Sequence, residues 1–300
     1  MSGAGPDLIT DVRAVVRSRL PGYRIDTIVR LGAGLENVAY EVNGDLIVRF
    51  SVAPDPAGRA AAVQREAGVL EIVDSVSPLA VPKPVFVATE LGCLAYRKVL
   101  GIPLLDLPQS DRSDLAASVG TELGRFLSVL NALPVDRMRE LVDVDDQPFE
   151  GWRADAADLY GTVAQAIPEA FQSAIGAFLR APPSTEDHPL VFSHNDLGIE
   201  HVLVDPNTGA ISGIIDWSDV AIVDPAFDIG LIYRDLGPVA LAAAVSSYRA
   251  GGNHAEDANL VERATFYARC SVFEDLSYGL RFGWPAYTGK SLAALAWLFP

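Results

Sequence analysis

Hydrophobic and polar positions follow two different periods along this chain. Apolar residues recur every three or four positions over 6–20, a spacing that predicts a helix ending at Pro21-Gly22. Short runs rich in β-branched residues then alternate with turn formers, which predicts antiparallel strands over 25–31, 38–42 and 46–50. The chain therefore begins with one helix and a small meandering sheet.

The period changes again in the second third of the chain. A helix is predicted over 60–76, and strands over 81–88 and 93–99. Helical spacing dominates afterwards, over 113–133, 152–160, 169–179, 238–248 and 256–280. Three short apolar runs at 190–192, 202–204 and 211–215 interrupt it, and the last two predict a hairpin. The apolar, aromatic segment 284–300 indicates packing rather than a ligand platform.

Composition narrows the class of protein. Half of the 300 residues are hydrophobic, enough for a buried core, and no apolar run reaches the ~18 residues of a membrane span. The first residues lack the features of a signal peptide, so we expect a cytoplasmic protein. Cys93 and Cys270 stand far apart, which indicates neither a disulfide framework nor a zinc site.

The net charge of −16 argues against a nucleic-acid surface, which requires clustered Lys and Arg. It is compatible with a cationic small-molecule partner. Acidic residues concentrate over 136–158. This segment is either an acidic rim for a cationic ligand or a solvated loop.

Candidate chemistry concentrates at the ends of the short apolar runs. His194-Asn195-Asp196 follows the run 190–192, His201 opens the run 202–204, and Asp216 ends the run 211–215. We expect Asp196, His201 and Asp216 to converge on one face. Phosphoryl transfer needs such a set, because one carboxylate accepts the hydroxyl proton while other ligands hold a metal on the nucleotide phosphates.

The string H-N-D-L-G-I-E-H followed by I-I-D-W resembles the aminoglycoside and macrolide phosphotransferase family, small-molecule kinases with a protein-kinase-like fold. Asp216-Trp217-Ser218-Asp219 and Asp224-Pro225-Ala226-Phe227-Asp228 are similar to the family's continuation of this motif. The resemblance implies an α+β, two-lobed fold. Residues 1–100 would form an antiparallel-sheet lobe for the nucleotide, and residues 101–300 a mainly helical lobe for catalysis and substrate binding.

The resemblance also implies roles for single residues. Asp196 would be the base for the acceptor hydroxyl, while His201 and Asp216 hold Mg²⁺ with ATP or GTP as co-substrate. Asp224 and Asp228 would cap and brace the second lobe. Glu274 and Asp275 would contact the acceptor.

In the first lobe, Arg49 would grip phosphate in place of the family's usual lysine, oriented by Glu66. Gly32 and Gly34 belong to a turn that would approach the phosphates. Backbone groups near Arg97 and Val99 would meet the purine base, which leaves ATP and GTP equally possible.

The acceptor stays open at this point, although His201 favours a macrolide because aminoglycoside members typically carry asparagine there. We expect a monomer that phosphorylates an antibiotic-like hydroxyl compound, with antibiotic resistance as the biological outcome. A kinase of a primary-metabolite alcohol and a non-catalytic nucleotide-binding protein are alternatives. A metal-dependent hydrolase using His194, Asp196 and His201 fits those residues, but not the Asp216-Trp217 continuation.

Overall fold

The computed structural model describes residues 8–33, 37–181, 188–252 and 257–300. Contacts divide the chain into two compact units, residues 1–100 and 101–300.

The first unit is an antiparallel sheet with two helices. Its elements are α1 (Ile9–Arg19), β1 (Ile28–Ala33), β2 (Asn37–Val42), β3 (Leu46–Ser51), α2 (Pro56–Asp74), β4 (Lys83–Ala88) and β5 (Cys93–Arg97). The strand order is β1-β2-β3-β5-β4. Valines on the buried face of α1, including Val12 and Val16, pack against sheet residues such as Tyr40 and Val48. Helix α2 begins at Asp55, whose carboxylate accepts the Gly58 N–H in a standard N-cap.

The second unit is mainly helical. Its helices are α3 (Gln109–Leu130), α4 (Val135–Met138), α5 (Phe149–Val163), α6 (Glu169–Arg180), α7 (Ala226–Ala250), α8 (Leu260–Phe282) and α9 (Pro285–Leu298). Its short strands are β6 (Ile102–Pro103), β7 (Val191–Ser193), β8 (Val202–Val204), β9 (Ile211–Ile214) and β10 (Ala221–Val223). They pair antiparallel as β6-β8-β9 and β10-β7.

Helices α3 and α7 approach each other closely because α3 presents glycines at the contact. A Cβ added at Gly120 would lie 2.4 Å from the carbonyl oxygen of Ala240, and one at Gly124 would lie 2.2 Å from that of Ala244. Both positions therefore require glycine on steric grounds. Helix α7 is long and apolar enough to cross a bilayer by those two criteria, but 67% of its apolar window is buried inside the molecule.

The predicted α+β class is confirmed, while some predicted boundaries are wrong. The predicted helix 238–248 is the second part of α7, which begins twelve residues earlier and bends at Gly237 (φ 78°) before Pro238. Residues 226–235 are buried throughout, so the first part of α7 lacks an amphipathic period. Strand β10 was also missed, because three apolar residues carry too little pattern.

Candidate active site

One buried aspartate holds the loop between β7 and β8 in place. Asp228, in the first turn of α7, accepts hydrogen bonds from the backbone N–H groups of Asn195 (2.9 Å) and Leu197 (3.1 Å). It also accepts the hydroxyl of Ser193 at 2.5 Å. Asn195 adopts a left-handed conformation with φ 62°. These bonds fix the loop so that the intervening residue, Asp196, points away from the core with 40% of its side chain exposed.

Asp196, His201 and Asp216 lie together at the mouth of this loop. The Nδ1–H of His201 donates to the backbone carbonyl of Asp196 at 2.8 Å, and the same nitrogen lies 3.2 Å from the Asp196 carboxylate. Its Nε2 lies 3.7 Å from Oδ2 of Asp216. The hydroxyl of Ser218 donates to the other Asp216 oxygen at 2.8 Å. The three residues expected from the motif are therefore neighbours in space.

Asp216 adopts an unusual backbone conformation. Its φ of 61° lies in the left-handed region, which a non-glycine residue occupies only when its surroundings enforce it. The conformation turns the chain out of β9 and leaves the Asp216 side chain 41% exposed beside His201. Such outliers are concentrated at functional sites.

Burial and neighbouring charges shift the pKa values of Asp196 and His201. Burial raises the pKa of Asp196 to about 8, and nearby carboxylates reinforce this shift while His201 opposes it. Burial disfavours a charged His201, but the carboxylates of Asp196, Asp216 and Glu200 outweigh burial and raise its pKa. A carboxyl with a pKa near neutrality, next to an imidazole, is suited to proton transfer.

The described residues include no group of three or more His, Cys, Asp or Glu side chains able to hold a metal alone. Magnesium at nucleotide sites usually takes one or two protein ligands, with phosphates and water completing the octahedron. In an octahedral Mg²⁺ site, neighbouring ligands lie about 3.0 Å apart and opposite ligands about 4.2 Å apart. The 3.7 Å between His201 Nε2 and Asp216 Oδ2 lies between these two separations, so a small side-chain movement would make them neighbouring ligands. The Nδ1 hydrogen bond leaves the Nε2 lone pair free to ligate.

His194 belongs to the core instead. Its ring is fully buried, its Nε2 lies 3.1 Å from the carbonyl of Ile215, and the ring packs edge-on against Trp217. Burial lowers its pKa to about 4, so it stays neutral. A hydrolase that uses His194 as an accessible ligand does not fit this position.

In the first unit, Arg49 and Glu66 form a buried ion pair. Nη1 of Arg49 lies 2.8 Å from Oε1 of Glu66, and the residues are 7% and 9% exposed. Arg49 lies on β3 opposite Ala39 and Leu94, and Glu66 is on α2. A buried pair has a defined geometry because both side chains are packed.

The other residues predicted to bind nucleotide are less constrained. Gly32 is exposed on β1, and an added Cβ would meet nothing within 4 Å. Gly34 lies outside the described residues. Arg97 is exposed at the end of β5 and pairs with Asp45. Val99 follows two residues later and is half-buried.

The predicted acceptor-contacting residues separate. Glu274 is exposed and lines a cleft of about 480 Å³ between α5 and α8, together with Trp152, Asp155 and Asp158. We call this the acidic cleft. Asp275 points into the interior, where it pairs with Arg234 (3.0 Å) and Lys290 (2.8 Å).

The second unit also has an exposed aromatic surface that no pattern in the sequence predicted. Tyr278, Phe282, Trp284 and Tyr287 form an aromatic cluster in which Tyr278 lies 4.8–5.3 Å from each of the other three ring centroids. Phe282 and Trp284 are each 45% exposed. Burial, then the charges of Asp196, Glu200 and Asp216, raise the pKa of Tyr278. The cluster is thus within electrostatic reach of the Asp196 loop, although its sequence indicated only packing.

A small antiparallel-sheet unit, a helical unit and a carboxylate loop followed by a second aspartate after a hairpin define a kinase-like fold. A model of the phosphotransferase enzyme family matches residues 27–262, and the chain belongs to that family. It is a phosphotransferase with an alcohol group as acceptor.

Solved structures share this fold at low sequence identity. The GDP complex of wild-type aminoglycoside 2′-phosphotransferase-IIIa is 21% identical, with a TM-score of 0.69 over 96% of this chain and 97% of that one. Macrolide 2′-phosphotransferase type I is 22% identical, with a TM-score of 0.64 over 97% and 98%. The macrolide 2′-phosphotransferase MphH from Brachybacterium faecium is 22% identical, with a TM-score of 0.60 over 95% and 98%.

Proposed function

We propose that this protein is a small-molecule kinase that transfers the γ-phosphate of ATP or GTP, with Mg²⁺, to a hydroxyl of an antibiotic-like acceptor, a macrolide or an aminoglycoside. The observation that carries the proposal is the arrangement of Asp196, His201 and Asp216 at the mouth of a loop braced by Asp228. Two solved structures of aminoglycoside phosphotransferases with a similar fold contain GDP, and one of them also contains kanamycin.

Asp196 orients the acceptor hydroxyl and accepts its proton. Its carboxylate is partly exposed, so a hydroxyl can reach it. Burial raises the pKa of Asp196, and a positive charge beside it, on a protonated His201 or on a metal ion held there, would favour the ionised form that a base needs. His201 and Asp216 would hold Mg²⁺, which supplies positive charge to the nucleotide phosphates during transfer.

The first unit binds the nucleotide. Arg49 presents a guanidinium that Glu66 holds in place, and a fork of this kind can bind phosphate through two hydrogen bonds. The exposed segment around Gly32, near the end of β1, would approach the phosphates with its backbone. The backbone near Arg97 and Val99 contacts the purine base.

Two features of the second unit suit a cationic acceptor that also has an apolar face. The acidic cleft brings the carboxylates of Asp155, Asp158 and Glu274 together beside Trp152. Glu274 and Tyr278 are one helical turn apart on α8, so the acidic cleft and the aromatic cluster meet along that helix. A protonated amine would pair with the carboxylates, while an apolar ring system packs on the aromatic side chains.

We place the enzyme in the cytoplasm as a monomer, where nucleoside triphosphates are available, with antibiotic resistance as its role. A screen tests this proposal. Nucleotide consumption would be followed with Mg-ATP and Mg-GTP in the presence of kanamycin, erythromycin, choline or homoserine, using Asp196→Asn as the blank. We expect turnover with an antibiotic and none with the blank. Turnover with choline or homoserine alone would indicate a kinase of primary metabolism, and nucleotide binding without turnover a non-catalytic protein.

A further inference from the structure

A network of buried charged side chains adjoins the loop between β7 and β8, which carries Asp196 and His201 and which we call the catalytic loop. Lys290 of α9 has a side chain only 1% exposed, and its Nζ lies 2.6 Å from Glu200, 3.1 Å from Asp235 and 2.8 Å from Asp275. Arg234 pairs with the same Asp235 (2.8 Å) and Asp275 (3.0 Å). Three carboxylates thus share two cations inside the second unit.

This network reaches the catalytic loop through both side chain and backbone. Glu200 immediately precedes His201, and its carboxylate is the one that Lys290 binds most closely. The N–H of Ile199 donates to Oδ2 of Asp235 at 3.1 Å, the oxygen that also faces Lys290. The His201 N–H closes the turn by donating to the Gly198 carbonyl at 3.0 Å.

We propose that Lys290 is a positioning residue for phosphoryl transfer, whose ammonium ties the Gly198–His201 turn to α7, α8 and α9 and so keeps the His201 ring directed at Asp216. The proposal rests on the proposed roles of Asp196, His201 and Asp216. Lys290 touches neither nucleotide nor acceptor in this role. It acts through Glu200, one of the three carboxylates that it contacts.

The charges of the network also explain why a lysine is needed. Replacing Lys290 with an apolar residue would leave three buried carboxylates and only Arg234 to balance them, which is strongly destabilising. Burial raises the pKa of Asp275, and Arg234 and Lys290 oppose that shift, so the two cations already offset part of the cost of burying this carboxylate. Stability and loop position would therefore both suffer in Lys290→Met.

A double variant separates the two effects. Lys290→Met combined with Glu200→Gln removes one charge of each sign, so the network regains its original balance while the tie to the loop stays cut. We expect the melting temperature to recover towards that of the wild type. We expect kcat to stay about tenfold or more below wild type, with the nucleotide and acceptor KM values changed less than about threefold. Glu200→Gln alone keeps two cations against two carboxylates, should fold, and should show a smaller loss of kcat.

Arg269→Met is the matched control. Arg269 also docks α9, by donating to the Leu298 carbonyl at 2.7 Å and by lying over the rings of Phe178 and Phe299. None of these partners belongs to the catalytic loop. We expect this variant to lower the melting temperature and to leave kcat unchanged.

Hydrogen–deuterium exchange of the ligand-free variants measures how firmly Lys290 holds the Gly198–His201 turn, and it does not depend on turnover. Residues 197–201 should exchange faster in the double variant than in the wild type or Arg269→Met, because Ile199 and His201 lose their fixed geometry. Unchanged exchange, or kcat that recovers with stability, would overturn the positioning role. Asp196→Asn, assayed in parallel with the acceptor that gives turnover in the screen, separates the two claims. If this variant remains active, the proposed function fails, and the exchange measurement still decides the tie.

Discussion

At the scale of single residues, the proposed role of His201 would give the metal site a softer ligand than the oxygen atoms that Mg²⁺ prefers. An imidazole nitrogen suits Mn²⁺ and later transition metals better. A ligating imidazole must also be neutral, whereas the surrounding carboxylates raise the pKa of His201 above its ordinary value. Protons would therefore compete with a metal ion for Nε2 of His201 on going below neutral pH.

For His201→Asn we predict a changed metal preference and a flatter pH profile. Wild-type activity should be supported relatively better by Mn²⁺ than that of the variant. It should also fall more steeply from about pH 7.5 to about pH 6, because only the wild type must lose a proton to bind metal. Steady-state rates with each metal across this range are the measurement. Superimposable profiles would place His201 outside the metal's coordination shell.

For Arg49→Ala we predict a nucleotide defect. The KM for nucleotide should rise far more than the acceptor KM, because the lost contact is to phosphate. Arg49→Lys should recover part of the loss as a point charge without the fork. Arg24→Ala is the control, since its side chain is 86% exposed and pairs with Asp26. Wild-type kinetics in both Arg49 variants would show that β3 does not present its cation to the nucleotide.

Functional residues that lie close together in the sequence could be predicted from it. Residues that only tertiary packing brings together could not. Asp196, His201 and Asp216 fall within one hairpin region, so strand ends were enough to predict their proximity. Glu200 and Lys290 are 90 positions apart, and no periodicity connects them. A lysine in an otherwise apolar C-terminal segment was the one signal available, because such a charge must find a partner when buried.

At the scale of elements, the packing of α3 on α7 depends on backbone contact. Exposed helix glycines normally gain about 1 kcal/mol of stability when replaced by alanine. At Gly120 the added Cβ would lie 2.4 Å from the Ala240 carbonyl oxygen, so the helices would have to separate.

We therefore predict opposite effects for two glycine-to-alanine changes. Gly120→Ala should lower the free energy of unfolding by about 1–3 kcal/mol, the usual range for overpacking. Gly161→Ala on α5, where a Cβ meets nothing within 4 Å, should raise it by about 0.5–1 kcal/mol. Urea denaturation of both variants measures the difference. A stabilised Gly120→Ala protein would contradict the close approach of α3 and α7.

Whether an element differs in burial between its two sides, or is bounded by clear turns, decides whether the sequence could predict it. Helix α1 and the paired strands β2 and β3 have one buried and one exposed side or clear turns, and they were predicted close to their observed bounds. The first part of α7 is buried on all sides and lacks any such contrast. The resemblance implied a bracing role for Asp228 in this part, whereas nothing in the sequence indicated that Asp235 binds the Ile199 N–H of the same loop.

At the scale of the whole molecule, one ordered motif predicted the fold and the family, whereas it did not predict the surfaces proposed to bind the acceptor. The acidic cleft draws Asp155 and Asp158 from α5 and Glu274 from α8, helices that are far apart in sequence. Two of its three carboxylates, Asp155 and Asp158, lie in the segment 136–158, for which the sequence allowed either an acidic rim or a solvated loop. The net charge of −16 is consistent with attraction of a cationic acceptor. The acidic cleft shows where on the second unit part of that negative charge is concentrated.

The central claim is that Asp196 acts on the acceptor hydroxyl in a phosphoryl transfer. The most direct measurement compares the wild type with Asp196→Asn, which preserves size, and with Asp205→Asn, which changes the turn-capping carboxylate after β8. Rates of phosphate transfer and binding of Mg-nucleotide would be determined for each. We predict a loss of ~10²–10⁴-fold in kcat for Asp196→Asn alone, with nucleotide affinity nearly intact. Retention of more than about a tenth of wild-type turnover would contradict the account, since an essential base cannot be removed at so small a loss.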